Sequence, residues 1–280
     1  MGVAQREDMS DELTDTPSSS RQAREQFGRQ AQFYAESRVH QAGEGLDALV
    51  GYAALGHYGT AVDVGTGAGF TAFAVSPYAE RVVATDIAPG MLAQARRQAG
   101  ERGITGLELV MGEAERLPLA SGSVGLVTCR QAAHHFYDLP KAVAEMWRVL
   151  ESGGAFIFTD PVAPDDDEVA RWMNDVEVRR DDTHIRDLNA GEWRGLLSHA
   201  GFEVTHWVIT KVYLEFNDWV QRSATPNRKI GTLRQDFLTA PPAMAAAFGI
   251  RTDGEEIHFH WDVVAVRAVK PARDTLDNLL

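Results

Sequence analysis

Cysteine is almost missing from this 280-residue chain: Cys129 stands alone. No disulfide can form within the chain, no cysteine cluster can hold a metal, and a reducing compartment is expected. Methylation of a soft metalloid through several thiolates is disfavoured for the same reason. Cationic side chains are in short supply too, with 27 Lys and Arg against 40 Asp and Glu and a formal net charge of −13. No basic stripe breaks that balance, so nucleic acid is not an expected partner. No apolar run approaches the roughly 18 residues of a membrane span, and the opening MGVAQREDMSDELTDTPSSS has no apolar signal core. Together these absences predict a soluble, cytoplasmic protein.

What is present alternates in period. Residues 1–20 are acidic, Ser-rich and poor in apolar side chains, which predicts a disordered tail. From Arg21 the spacing of Phe27, Ala31, Phe33 and Tyr34, then Val39, Leu46, Leu49 and Val50, predicts amphipathic helices over about 21–58 that lie across a ligand as a lid. Short apolar strands are predicted at Ala61–Val64, Arg81–Thr85, Leu107–Met111, Val124–Cys129 and Ala155–Asp160. Helices fall between them at Thr71–Tyr78, Met91–Arg102 and Leu139–Leu150, and Gly153-Gly154 reads as a helix stop. This is the pattern of an α/β domain with a buried parallel sheet. Insertions at about 161–190 and 215–252 are predicted to form a helical cap, followed by strands Phe202–Val212 and Ile257–Val269, the last antiparallel to the one before it.

The most informative segment is Ala61–Phe70, AVDVGTGAGF, with the acid Asp86 ending the next apolar run. Bare backbone at Gly65, Gly67 and Gly69 admits a ligand where a side chain would collide, and Asp86 suits a pair of ribose hydroxyls at a strand's carboxyl end. A dinucleotide loop requires G-x-G-x-x-G to receive a pyrophosphate on a helix N-terminus. Here the third glycine comes one position early, and Asp63 places a carboxylate just before the loop. That acid would repel a pyrophosphate and suits a cationic sulfonium and ammonium.

Four segments in order, VDVGTGAG (62–69), VVATDIAPGML (82–92), GEAERLPLASGSVGLVTCRQAAHHF (112–136) and EMWRVLESGG (145–154), resemble the class I S-adenosylmethionine-dependent methyltransferases. The similarity is greatest to the branch of ubiquinone and menaquinone C-methyltransferases and their small-molecule relatives. RRDDTHIRDLNAGEW (179–193) and DWVQRSATP extend the resemblance from about Arg21 to Lys270. It implies a Rossmann-like, mostly parallel seven-stranded sheet with an antiparallel last strand, and S-adenosylmethionine as cofactor. Asp63, Gly65, Thr66, Gly67 and Gly69 would hold the methionine moiety. Asp86 would take the ribose diol, Ile87 and Met91 would pack near the adenine, and Ala114 would offer it a backbone amide. Glu113, after Gly112, stands where many relatives carry an aspartate on the adenine amino group. Arg130 would lie near the methionine end. On the leading helix, Tyr34 and Phe33 read either as closing over the cofactor or as core aromatics that anchor the helix. The acceptor would be a small molecule, and a homodimer is compatible with this family.

His134 and His135 follow the fourth strand, where a nucleophile would meet the methyl group. Either titrates near neutrality and could take a proton, although a role in orienting the loop is favoured. His184 and Arg186 belong to the predicted roof and read as acceptor contacts or as an exposed salt-bridged turn. His258 and His260 share one strand face, but no third ligand has suitable spacing, so no metal site is expected. Trp172, Trp193, Phe216 and Trp219 suggest an apolar acceptor or the cap's own core. Two other functions remain open: a protein that binds the cofactor without transferring its methyl, and a nicotinamide-dependent oxidoreductase.

Overall fold

The computed structural model describes residues 18–36 and 42–272. Two helices come first, α1 (Ser18–Glu36) and α2 (Glu44–Ala53). The alternating unit follows: β1 (Tyr58–Val64), α3 (Phe70–Val75), β2 (Ala79–Asp86), α4 (Pro89–Glu101), β3 (Leu107–Met111), β4 (Val124–Arg130), α5 (Leu139–Val149) and β5 (Leu150–Pro161). Then come α6 (Asp167–Arg180), α7 (Ala190–His199), β6 (Glu203–Glu215), α8 (Phe216–Arg222), α9 (Asn227–Leu238), α10 (Pro242–Phe248), β7 (Arg251–Asp253) and β8 (Glu256–Val269). Most of the expected tail lies outside the described residues; helix is already formed at 18–20.

The sheet runs in the order β3-β2-β1-β4-β5-β8-β6. Its first five strands are mutually parallel, and β8 lies antiparallel between β5 and β6. An eighth short strand, β7, pairs with the start of β8 and corrects the expected count of seven. Asp253-Gly254 marks this turn, Gly254 taking φ 59°. The order reverses at β1 and β4, where an open α/β sheet has its crevice beyond the carboxyl ends of the strands.

Period-two alternation sorts the core into two layers. Val62, Val127, Phe156 and Phe158 face α5 and α7, whose Val143, Met146, Trp193 and Leu197 are buried there. Ala61, Leu126 and Ile157 face the other way, onto Leu49 of α2 and Ala72 and Val75 of α3. Helix starts are fixed locally: Asp138 accepts the Lys141 N–H, and Asn189 and Glu192 form a reciprocal capping box. The Gly153-Gly154 pair is not a helix stop. It lies inside β5, where the pairing with β4 shifts register and Gly153 takes φ 83°.

β6 pairs from Glu203 to Glu215 with His258–Val269 of β8, whereas β5 reaches only Val263–Val269. The overhanging ribbon supports a third core, in which Phe259 and Trp261 pack with Met173, Trp219, Phe237 and Phe248 of the cap helices. The cap is thereby held above the carboxyl ends of β4 and β5. Among the described residues no helix is long and apolar enough to cross a membrane.

Candidate active site

A cleft of about 970 Å³ opens at the switch point. On its β1 side Gly65, Thr66 and Gly67 form the wall, with φ of 66° at Gly65 and 54° at Gly67. A Cβ on Gly65 would stand 2.7 Å from the Ala132 side chain, whereas one on Gly67 would project into open space. Asp86, Ile87 and Met91 line it from the end of β2 and α4, and Gly112, Glu113, Ala114 and the buried Glu115 from the segment after β3. Arg130 and His135 close the β4 side, the Arg130 Nε donating to Thr71 Oγ1 at 2.9 Å.

Two residues expected at the ligand, Asp63 and Gly69, do not line the cleft. Asp63 is buried beneath the loop and accepts from Thr66 Oγ1 at 2.6 Å and Thr128 Oγ1 at 2.7 Å, so it braces the turn from below. Gly69 starts α3 in the left-handed region at φ 93°; a Cβ there would meet the Phe73 ring at 2.5 Å, so packing dictates that glycine. Tyr34 belongs to α1, but its side chain lies outside the described residues. The α1 residues that reach the cleft are Ala23 and Phe27, the latter meeting the His135 ring edge-on at 4.8 Å, while Phe33 is exposed.

Burial pushes both Asp63 and Asp86 up to about 6, against the hydrogen bonds each accepts. Burial also pulls Arg130 down to about 10, against the attraction of Asp63. With Glu113 and Glu115 close by, the cleft is rich in acids, which favours a cationic ligand.

Behind Gln131 and His135, which border both spaces, lies a second chamber of about 540 Å³. Its lining includes His134, Glu177, Arg180, His184, Asp187 and Arg222. His134 Nδ1 lies 3.0 Å from Asp160 Oδ1, and its backbone N–H donates to Asp160 Oδ2. Burial opposes charge on His134, but the Asp160 carboxylate together with Asp187 and Glu177 outweighs it and lifts the ring to about 9. His135 is pushed down by burial and by the neighbouring His134 charge. Because a carbonyl can only accept, His135 Nδ1 donates to Thr183 O at 3.1 Å, and Nε2 carries the lone pair.

The cap supplies the rest of the chamber. Glu177 is buried and accepts from Trp219 Nε1, Trp261 Nε1 and Arg180. Burial brings His184 down to about 4 and raises Asp187 to about 8. His184 is buried, so the reading of an exposed salt-bridged turn fails for it; Arg186 is exposed, pairs with Glu192 and lines neither space. Phe216, Trp219 and Trp193 are buried in core and Trp172 packs against the cap cluster, as the cap-core reading expected; Trp219 also lines the chamber with Trp261, Val212 and Leu214, so that its wall mixes ionisable and apolar side chains. His258 pairs with Glu256, and His260 lies beside Lys211 and Asp262; the two do not converge.

Gln131 was not anticipated as a site residue. It follows Arg130 with φ 54° and donates its N–H to Thr159 O at 2.7 Å. A non-glycine residue held in the left-handed region is uncommon, and this one lines both spaces. Its place directly after the fourth strand was the available signal.

A family model described as a methyltransferase domain matches residues 62–158. The uncharacterised methyltransferase YcgJ of Bacillus subtilis is 33% identical over 249 residues, covering 87% of this chain and 97% of YcgJ. The uncharacterised protein YafE of Escherichia coli is 32% identical over 200 residues, covering 71% of this chain and 95% of YafE. The crystal structure of YcgJ superposes with a TM-score of 0.77 at 28% identity, over 82% of this chain and 99% of that one. With this fold, cleft and coverage, the chain belongs to the class I S-adenosylmethionine-dependent methyltransferases.

Proposed function

We propose that the enzyme methylates a small polar molecule that enters the second chamber and meets the cofactor at the Gln131–His135 mouth. The observation that carries this reading is the adjacency of the two spaces: Gln131 and His135 border both the cleft and a chamber lined by several ionisable side chains. The cleft suits the cofactor, since glycine backbone stands where a Cβ at position 67 would fill the space, and the surrounding acids complement its two cationic centres. When bound there, S-adenosylmethionine supplies an activated methyl group.

The residues divide the work. Gly65, Thr66 and Gly67 receive the methionine end, with Arg130 near its carboxylate. Asp86 accepts the ribose hydroxyls, and Ile87, Met91, Glu113 and Ala114 hold the adenine. His135 presents the Nε2 lone pair to the proton of the acceptor's hydroxyl or amine. Its depressed basicity makes it a hydrogen-bond acceptor that orients the nucleophile more than a strong base. Holding the reacting atoms in line contributes about 7–11 kcal/mol, more than a single base typically supplies. His134, protonated against Asp160, fixes the loop, while α1 and the cap keep water out.

Calorimetry with S-adenosylhomocysteine, followed by release of that product from S-adenosylmethionine in the presence of polar and apolar acceptor panels, tests the reading. Turnover is expected with polar acceptors. Binding without turnover on either panel would favour a protein that binds the cofactor without transferring its methyl.

A further inference from the structure

The second chamber contains donors with no partner. Asp187 is 1% exposed, and neither of its carboxylate oxygens accepts a hydrogen bond. Its position is set by the main chain instead: the Asp187 N–H donates to Asn174 Oδ1 at 2.7 Å, and Asn174 Nδ2 donates to the Asp187 carbonyl at 3.2 Å. His184 Nε2, also buried and without a hydrogen bond, lies 3.6 Å from Asp187 Oδ2. A buried carboxyl group whose two oxygens find no hydrogen-bond partner is uncommon, and it leaves both oxygens available to a ligand.

The neighbours define which ligand. One ligand atom each from His134, Asp160 and Asp187 lie within 4.8 Å of one another. Donors around an ion at bond lengths of about 2.1 Å stand about 3–4 Å apart, so small side-chain adjustments close the set. The His134 and His184 rings are 5.2 Å apart between centroids, which places the second imidazole beside the same spot. Two imidazoles and two carboxylates form a mixed nitrogen and oxygen set of intermediate hardness, suited to Mn²⁺, Fe²⁺, Co²⁺ or Zn²⁺ and poorly suited to soft ions.

We propose that His134, Asp160 and Asp187, with His184 as a fourth donor, bind one divalent transition-metal ion in the second chamber, the ion displacing the proton that His134 shares with Asp160 in the ion-free state. Where the chamber receives the acceptor, a consequence that rests on the function proposed above, an open position on the ion would hold an acceptor oxygen and favour its deprotonated form. Ion binding itself requires no acceptor and no cofactor.

The test uses the full chain stripped with chelator and titrated calorimetrically with Mn²⁺, Co²⁺ and Zn²⁺ alone. With a net charge of −13, diffuse cation association is expected everywhere, so the discriminating variant is Asp187→Asn. It is nearly isosteric and removes no hydrogen bond from the fold, and unchanged S-adenosylhomocysteine affinity would verify that the fold is intact. One saturable ion per chain, weakened at least tenfold in Asp187→Asn and in His184→Gln, is the expected result. No saturable binding, or binding that Asp187→Asn leaves unchanged, overturns the proposal. Retained S-adenosylhomocysteine binding in that event leaves the methyl-transfer reading standing, whereas loss of that binding with a tight ion site would count against the methyl-transfer reading alone.

Discussion

One side chain pins two turns: Asp86 accepts the Gly67 N–H with one oxygen and the Ala88 N–H with the other, both at 2.8 Å. The glycine loop after β1 and the start of α4 are therefore positioned by the same acid that is proposed to hold the ribose. Asp86→Ala should remove ionic hydrogen bonds worth about 1.5–3 kcal/mol, weakening S-adenosylhomocysteine binding by about ten- to hundredfold in calorimetry. An affinity within twofold of the parent would refute the ribose assignment.

The same acid makes cofactor binding depend on pH. Asp63 and Asp86 have folded pKa values of about 6, above those of free aspartate, because burial disfavours the charge. A proton held more tightly in the folded state means that unliganded stability falls as pH rises from about 4 to about 6, then levels off. Binding a ribose requires the carboxylate, so affinity should be level above about pH 7 and about tenfold lower at pH 5. Titrations at pH 5, 6, 7 and 8 check the sign; a flat profile contradicts it.

Gln131 bears a backbone cost that glycine would not. Gln131→Gly should release about 1 kcal/mol of left-handed strain, partly offset by the freedom of glycine in the unfolded chain. Thermal unfolding should shift upward by about 2 °C while product release from the best acceptor slows. Lower stability together with unchanged turnover would show that the residue merely fills space.

The lid predicts a separable pair of effects. Phe27→Ala withdraws a ring from the cleft and from His135, and should weaken cofactor binding with little change in melting temperature. Gln26→Ala removes a donor to Asp181 Oδ1 in the buried seam and should cost about 1 kcal/mol, exposing α1 to limited proteolysis that S-adenosylhomocysteine suppresses. Equal cleavage of variant and parent would contradict a fastening role.

Much of the fold was legible because periodicity and local chemistry agree. Leu107–Met111 has its predicted bounds, and the burial of Ile157 on one face and Phe158 on the other follows from alternation. The cleft was legible because its lining residues lie in contiguous turns after successive strands. Asp63 was misplaced because a sequence shows a carboxylate near a loop but not that two threonine hydroxyls engage it from within. The Phe27 contact and the Asp187 cluster depend on tertiary docking: His134, Asp160 and Asp187 come from three separate elements and have no spacing signature. The tryptophans left two readings open, because aromatic composition cannot distinguish a cap's interior from a ligand wall; the structure places them in core, with Trp219 also on the chamber wall.

Helix α1 also bridges two parts of the molecule. Gln22, Gln26 and Gln30, one helical turn apart, donate to Asp182 O, Asp181 Oδ1 and Ser223 O of the cap, while Ala23 and Phe27 on the adjoining stripe lie against the cofactor cleft. Lifting this helix would unroof the cleft and unlatch the cap in one movement. Under the proposed function, discharge of spent donor and admission of fresh acceptor would then be parts of the same event, whose rate would bound how fast the catalytic cycle can repeat.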